Sequence, residues 1–215
     1  MGKLGRMRIA VIVADGFEQS ELDVPVAALR ESGVAVDVLA PDEAHHRHVR
    51  GEAGGRETAG VQPDRLLADA SPGAYDGLVI PGGIESPRAM RGSDLHLHWV
   101  RNMVERGRPI AAICHGPWLL AAADVVGDRL VTSHPDCRDD LERAGARWVD
   151  QEVVVDRGVV TSRRPQDLPA FVRAYIDLLE REYLELACPP APMQEQPIDG
   201  GAVQLTSRGT APSLP

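Results

Sequence analysis

Short apolar runs alternate along the chain with segments whose apolar residues recur at helical spacing. The strongest runs are rich in β-branched side chains and almost free of charge, which is typical of strands buried on both faces of a sheet. Together with weaker runs nearer the C-terminus, they predict strands at residues 8–14, 34–39, 77–80, 109–113, 129–132, 153–155 and 159–161.

The segments between these runs have the pattern of amphipathic helices. In residues 20–32, Leu22, Val26 and Leu29 share one face, and Gly33 ends the pattern. Residues 42–60 are polar and rich in glycine, which predicts a loop or an irregular hairpin. Helices are predicted at residues 20–32, 95–106, 117–126, 139–144 and 168–186.

This alternation predicts an α/β fold, a three-layer sandwich in which a mostly parallel sheet carries helices on both faces. Binding sites on such sheets lie at the carboxyl ends of the strands. Three segments in that position contain reactive side chains or glycines, namely residues 15–18, 81–85 and 114–116.

The length of 215 residues is enough for one domain. We expect residues 8–186 to form it, preceded by an N-terminal extension at residues 1–7. Residues 187–215 are rich in proline and lack apolar periodicity, which predicts a disordered tail.

The composition argues against several classes of partner. The net charge is −9 and no basic run is visible, so nucleic acid is not an expected ligand. No apolar run approaches the roughly 20 residues that cross a bilayer, and no secretory signal is visible, so we expect a cytoplasmic protein without membrane contact. The clustered His45, His46 and His48 lack a completing carboxylate or thiolate, so no metal and no other cofactor is predicted.

The most informative residue is Cys114, which follows the apolar run 109–113 directly and precedes a helix that begins near Pro117. A residue on such a sharp strand-to-helix turn projects into the crevice above the sheet. A helix N-terminus favours the thiolate, which is the nucleophilic form of cysteine. Burial of Cys114 in the core is the alternative, whereas Cys137 and Cys188 lack these features and are expected to be structural.

Several motifs in order resemble the ThiJ/PfpI family of the class I glutamine amidotransferase-like superfamily. The resemblance extends over about residues 8–182, and its relatives include PfpI intracellular proteases and Parkinsonism-associated deglycases. It implies a flavodoxin-like arrangement of the sheet. The matching segments are residues 14–18 (ADGFE), 79–83 (VIPGG), 112–117 (AICHGP), 132–135 (TSHP) and 153–156 (VVVD).

The resemblance also implies roles at the site. Glu18 is expected beside Cys114, where a protonated carboxyl group stabilises the thiolate. His115 is expected to act as the base. The backbone N–H groups of Gly83 and His115, next to Gly82, are expected to hold a developing oxyanion.

One position departs from the family pattern. The resemblance implies that the histidine is oriented by an acid after the glycine loop, supplied by a neighbouring subunit, but Arg88 stands there. An arginine cannot accept the imidazole proton. Either Glu85 takes its place or the triad is incomplete. His134, where the family often carries tyrosine, is a further accessory candidate.

Glutamine hydrolysis is not expected. The His134-Pro135-Asp136 segment superficially resembles the His-Pro-Glu of true amidotransferases, but it follows Cys114 by only 20 residues, and no glycine precedes the cysteine.

The resemblance, together with the position of Cys114, implies a stress-related cysteine hydrolase that acts on carbonyl-derived adducts or on small amide or peptide bonds. The alternative is a non-catalytic redox sensor or chaperone that uses the same oxidisable cysteine. The resemblance also implies the partners: a small-molecule or peptide substrate and further copies of the chain, in a homodimer or hexamer with the site near a subunit interface.

Overall fold

A computed structural model describes residues 4–187, with side chains described as far as Leu184. Its strands are β1 (Arg8–Ile12), β2 (Phe17–Glu18), β3 (Ala35–Ala40), β4 (Gly51–Ala53), β5 (Arg56–Glu57), β6 (Arg65–Leu66), β7 (Gly77–Ile80), β8 (Ile110–Ile113), β9 (Leu130–Val131), β10 (Arg147–Trp148), β11 (Val153–Asp156) and β12 (Val159–Ser162). Its α-helices are α1 (Gln19–Glu31), α2 (Glu85–Met90), α3 (Asp94–Glu105), α4 (Pro117–Ala122), α5 (Arg138–Arg143) and α6 (Leu168–Ala187).

The central sheet has seven strands in the order β11-β12-β8-β7-β1-β3-β6. Its strands are parallel except β11, which pairs antiparallel with β12. Because side chains alternate along a strand, Ile9 and Val11 of β1 face one core cluster, and Ala10 and Ile12 face another. Helices α1 and α6 cover the first cluster, and α3, α4 and α5 cover the second. The predicted three-layer α/β sandwich is therefore confirmed.

The strand order places the site. The chain leaves β1 toward β3 on one side and β7 toward β8 on the other, so a crevice opens above the carboxyl ends of β1 and β7. The segments that follow β1, β7 and β8 meet in this crevice. A small second sheet, β2-β4-β5, lies beside it, and Phe17 of β2 forms a bridge with Gly83.

Some element boundaries differ from the sequence predictions. Helix α2 was not predicted, and α4 ends at Ala122 because the chain turns through Asp124, whose φ is 58°.

Leu4 and Met7, in the predicted N-terminal extension, are buried in the core cluster beneath α1 and α6. The predicted tail and Cys188 lie outside the described residues, apart from Ala187 at the end of α6. Within residues 4–187, no helix is both long enough and apolar enough to cross a bilayer.

Candidate active site

Cys114 stands on a tight turn immediately after β8. Its φ is 60°, a backbone conformation that costs a non-glycine residue on the order of 1–3 kcal/mol. The turn is held on both sides: the Cys114 N–H donates to the Ser162 carbonyl (3.0 Å), and the His134 N–H donates to the Cys114 carbonyl (2.9 Å). The sulfur thereby projects into a cavity of about 560 Å³.

The cavity brings together most of the residues singled out from the sequence. Cys114 and His115 lie on its floor, and Gly83, His134, Glu18 and Glu21 line it. Its rim carries both signs of charge, from Glu52 on the β4–β5 side and from Arg163 and Arg164 after β12.

The carboxyl group beside the thiol belongs to Glu21. Its side chain is fully buried, acts on the same proton balance as Cys114, and accepts the Gly82 N–H at Oε2 (2.8 Å). Glu18, which was expected in this place, lines the same cavity but accepts a hydrogen bond from the Ser20 hydroxyl (3.1 Å). The reason is helical geometry: Glu21 lies on the buried face of α1 with Leu22 and Pro25, whereas Glu18 precedes the helix.

Burial raises the pKa of Glu21 to about 8, against which the Gly82 N–H acts in part. Glu21 is therefore mainly protonated at neutral pH and can donate a hydrogen bond to sulfur. Its Oε1 has no N–H or O–H partner among the described residues, so Cys114 is the polar group left for that proton.

The sulfur itself is less readily ionised than the sequence predicted. Only 8% of Cys114 is exposed, and this burial raises the pKa of its thiol, as does negative charge on Glu21. The backbone N–H groups of His115 and Gly83 act in the opposite direction. Because Glu21 and Cys114 titrate as a coupled pair, the repulsion between them is absent while Glu21 keeps its proton.

His115 is held between the thiol and the loop that follows β9. Its Nδ1 lies 3.3 Å from the Cys114 sulfur, and its Nε2 lies 3.5 Å from a carboxylate oxygen of Asp136. The ring stacks on His134, with centroids 4.4 Å apart, and contacts Trp118 at a tilt, with centroids 4.8 Å apart. Burial, followed by the nearby His134, lowers the pKa of His115. A neutral imidazole next to a thiol is a suitable proton acceptor.

Two glycines let the backbone approach the thiol. Gly83 has a φ of 82°, and a Cβ there would collide with the Gly16 carbonyl. A Cβ on Gly82 would lie 2.6 Å from the Cys114 Cβ and 2.6 Å from Glu21 Oε2. The N–H groups of Gly83 and His115 are directed at the sulfur, whereas the Gly82 N–H is engaged by Glu21.

The accessory candidates divide into two groups. Glu85 and Arg88 form an exposed ion pair (2.7 Å) at the start of α2. His134 joins His115 and Asp136 in a group whose potential metal-ligating atoms lie within 4.8 Å of one another. Asp136 was not predicted as a site residue: it lies in the His134-Pro135-Asp136 segment that only superficially resembles the amidotransferase motif, and no acid was expected on this side of His115.

Comparisons with known proteins place this geometry in a family. The model of the DJ-1/PfpI family matches residues 7–178. "Protein/nucleic acid deglycase 2" of Escherichia coli K12 is 40% identical over 80% of this chain and 97% of its own length. "Deglycase PfpI" of Pyrococcus furiosus is 36% identical over 81% of this chain and all of its own. The crystal structure of Drosophila melanogaster DJ-1beta superposes with a TM-score of 0.72 at 27% identity, covering 87% of this chain and 98% of that one. The chain belongs to the DJ-1/PfpI family.

Proposed function

We propose that this protein is a cysteine-dependent hydrolase of the deglycase type, acting on carbonyl-derived adducts or on small amide or peptide bonds. The observation that carries the proposal is the position of the Cys114 sulfur on the floor of an open cavity, between the His115 Nδ1 and the Glu21 carboxyl. The deglycase names of its relatives support the same class of reaction.

Activation of the thiol follows from these contacts. Since burial keeps the thiol protonated at rest, the sulfur becomes nucleophilic when its proton passes to His115. Protonated Glu21 then donates a hydrogen bond to the growing negative charge. The Gly82 N–H fixes the carboxyl in place, because it donates to the oxygen Oε2.

The reaction is a hydrolysis in two halves. With an amide or peptide, the sulfur adds to the carbonyl carbon, the C–N bond breaks, and the leaving amine takes the proton held by His115, which leaves an acyl-enzyme. With a methylglyoxal adduct, Cys114 replaces the leaving amine or thiol as a hemithioacetal, and transfer of the aldehyde-derived C–H proton to the neighbouring ketone carbon converts this into a lactoyl thioester. Water then attacks the thioester in either case, giving a carboxylic acid and restoring the Cys114 thiol. The N–H groups of Gly83 and His115 are the donors nearest the reacting atom, so we assign them to the oxyanion.

The rim suggests which substrates are suitable. Glu18 and Glu52 present negative charge on one wall, and Arg164, half-exposed and 3.9 Å from Asp167, presents positive charge on the other. This arrangement suits a polar molecule that carries both an amine and a carboxylate, such as a modified amino acid or a short peptide. We also propose that the chain works as a homo-oligomer with this cavity near a subunit contact.

The test is turnover of a methylglyoxal-modified thiol, measured by the formation of lactate, because the free thiol is also released when the adduct dissociates spontaneously. Wild type should be active, and Cys114→Ala should lose activity by at least about 1000-fold, since it lacks the nucleophile. Cys188→Ala, which removes a different thiol, is the matched control and should retain activity. Equal activity in wild type and Cys114→Ala would contradict the proposal.

The redox alternative gives a different result in the same samples. If wild type has no turnover, and peroxide converts Cys114 selectively to sulfinic acid, the cysteine is a sensor rather than a nucleophile. Peptide mass spectrometry distinguishes Cys114 from Cys137, which is fully buried and whose thiol pKa is raised by that burial.

A further inference from the structure

The imidazole of His115 presents two nitrogens to two different groups. Nδ1 faces the Cys114 sulfur at 3.3 Å. Nε2 is buried, has no hydrogen-bond partner of normal geometry within the described part of the chain, and lies 3.5 Å from the Asp136 carboxylate. The hydrogen-bond acceptor that faces a ring nitrogen determines whether that nitrogen carries the imidazole proton. The carboxylate opposite the buried Nε2 is therefore the group that sets the tautomer of His115.

We propose that Asp136 is the positioning residue for His115: its carboxylate accepts the Nε2–H, which leaves the Nδ1 lone pair to take the proton of the Cys114 thiol. The inference rests on the proposed function, because it supplies the third member of the same catalytic group. The carboxylate also stabilises the imidazolium that forms when the thiol transfers its proton.

Hydrogen bonds hold the loop that carries Asp136 against the strand-to-helix turn at Cys114, which is called the elbow from here on. The Asp136 N–H donates to His134 Nδ1 (3.3 Å), and the His134 N–H donates to the Cys114 carbonyl (2.9 Å). The next residue, Cys137, is fully buried and holds the short turn formed by residues 135–137 against the core. Asp136 is therefore held near His115 by the same contacts that hold the nucleophile, although its own side chain is largely exposed.

The charges around His115 make Asp136 the group that favours the imidazolium. Burial lowers the pKa of His115, and His134 and Arg88 lower it further, while Asp136 raises it. Glu21 faces the sulfur rather than the ring, and Trp118 contributes only a ring contact. Removal of Asp136 leaves burial, His134 and Arg88, all of which lower the pKa of His115.

Neither of the two charged residues after the glycine loop, Glu85 and Arg88, can orient His115. Arg88 has no acceptor atom in its side chain, and Glu85 is paired with Arg88 at 2.7 Å. The acid that is missing after the glycine loop is thus supplied by the same chain, from the loop after β9.

A metal site built on the same three side chains fits the geometry less well. His134 Nδ1 already accepts the Asp136 N–H, and the two imidazoles are stacked with an interplanar angle of 26°. Ring nitrogens coordinate in the plane of the ring, so the lone pairs of two stacked rings run side by side and do not converge on one ion.

The experiment compares Asp136→Ala and Asp136→Asn with Asp139→Ala, which removes an exposed acid at the start of α5. Nitrogen-15 NMR of His115 reports the tautomer, and iodoacetamide alkylation of Cys114 reports thiol ionisation. In Asp136→Ala we expect a shift from the Nε2–H toward the Nδ1–H tautomer, with alkylation and turnover at pH 7 each about 10-fold slower. Asp136→Asn keeps an acceptor oxygen, so it should retain the tautomer but lose rate. Asp139→Ala should match wild type.

Each outcome decides a separate question. If Asp136→Ala matches Asp139→Ala in tautomer and rates, the role of Asp136 is overturned while the proposed hydrolase stands. If wild type turns over no adduct but Asp136→Ala still shifts the tautomer and slows alkylation, the hydrolase falls and the positioning role stands. If Asp136→Ala changes only the affinity for added Zn²⁺, the three side chains form a metal site and the proposal is overturned.

Discussion

Glu21→Gln is expected to make the folded protein more stable at neutral pH, by about 3 kcal/mol at pH 7. Burial raises the pKa of Glu21 to about 8, while the ordinary pKa of a glutamate side chain is 4.5. Between these two values the folded chain retains a proton that the unfolded chain has released. Stability therefore falls as the pH rises through this window, and glutamine, which does not titrate, removes that loss.

The pH profile of the gain is the decisive measurement. Urea unfolding of both proteins should give nearly equal free energies at pH 4, a growing difference from pH 5 to pH 8, and a constant difference above that. Glutamine can still accept the Gly82 N–H, so the contact itself is kept. Glu18→Gln, which removes a half-buried carboxyl group from the same cavity, is measured beside it as the matched comparison. A pH-independent difference for Glu21→Gln would mean that the buried carboxyl is ionised in the folded state.

Gly82→Ala is expected to cost about 3 kcal/mol of stability and to disorder the site, because overpacking of this kind forces rigid groups apart. The added Cβ would lie 2.6 Å from the Cys114 Cβ, 2.6 Å from Glu21 Oε2 and 2.9 Å from the Ile113 carbonyl oxygen. Two of these atoms belong to the main chain or lie next to it, on the elbow and its strand, and cannot move aside independently.

Gly92→Ala provides the matched comparison. A Cβ there meets only the Ala89 carbonyl oxygen at 3.6 Å, an ordinary contact, so its unfolding free energy should stay close to that of wild type. Thermal and urea unfolding of the two variants measure the difference. Equal stability of Gly82→Ala and Gly92→Ala would show that the elbow relaxes far more easily than its contacts indicate.

The fold could be inferred from the sequence because its sheet is buried on both faces. Strands such as β7 and β8 have no exposed residue, so their apolar runs are unbroken and their ends are visible. Helix α2 was missed because it has only six residues and contains Pro87, which interrupts the helical pattern. The start of the packed domain was placed too late in the sequence because a single buried leucine before β1, Leu4, forms no periodic pattern.

The site could be inferred only in part. The elbow is a local feature, since the strand, Cys114 and Pro117 are adjacent in sequence. The choice between Glu18 and Glu21 depends on which face of α1 is buried. A signal was present, because Glu21 lies on the stripe formed by Leu22, Pro25, Val26 and Leu29, where a carboxylate is out of place. The approach of Asp136 to His115 depends on the path of a loop, which no pattern of residues specifies.

The carbonyl oxygen of Cys114 accepts the His134 N–H (2.9 Å) and lies 3.7 Å from the Cys137 sulfur. That amide proton can exchange with deuterated solvent only when the two segments separate. Its exchange rate therefore measures how often the His134 segment separates from the turn at Cys114, and the measurement needs no substrate. Slow exchange at His134, in step with global unfolding, would mark the elbow as part of the most persistent unit of the protein.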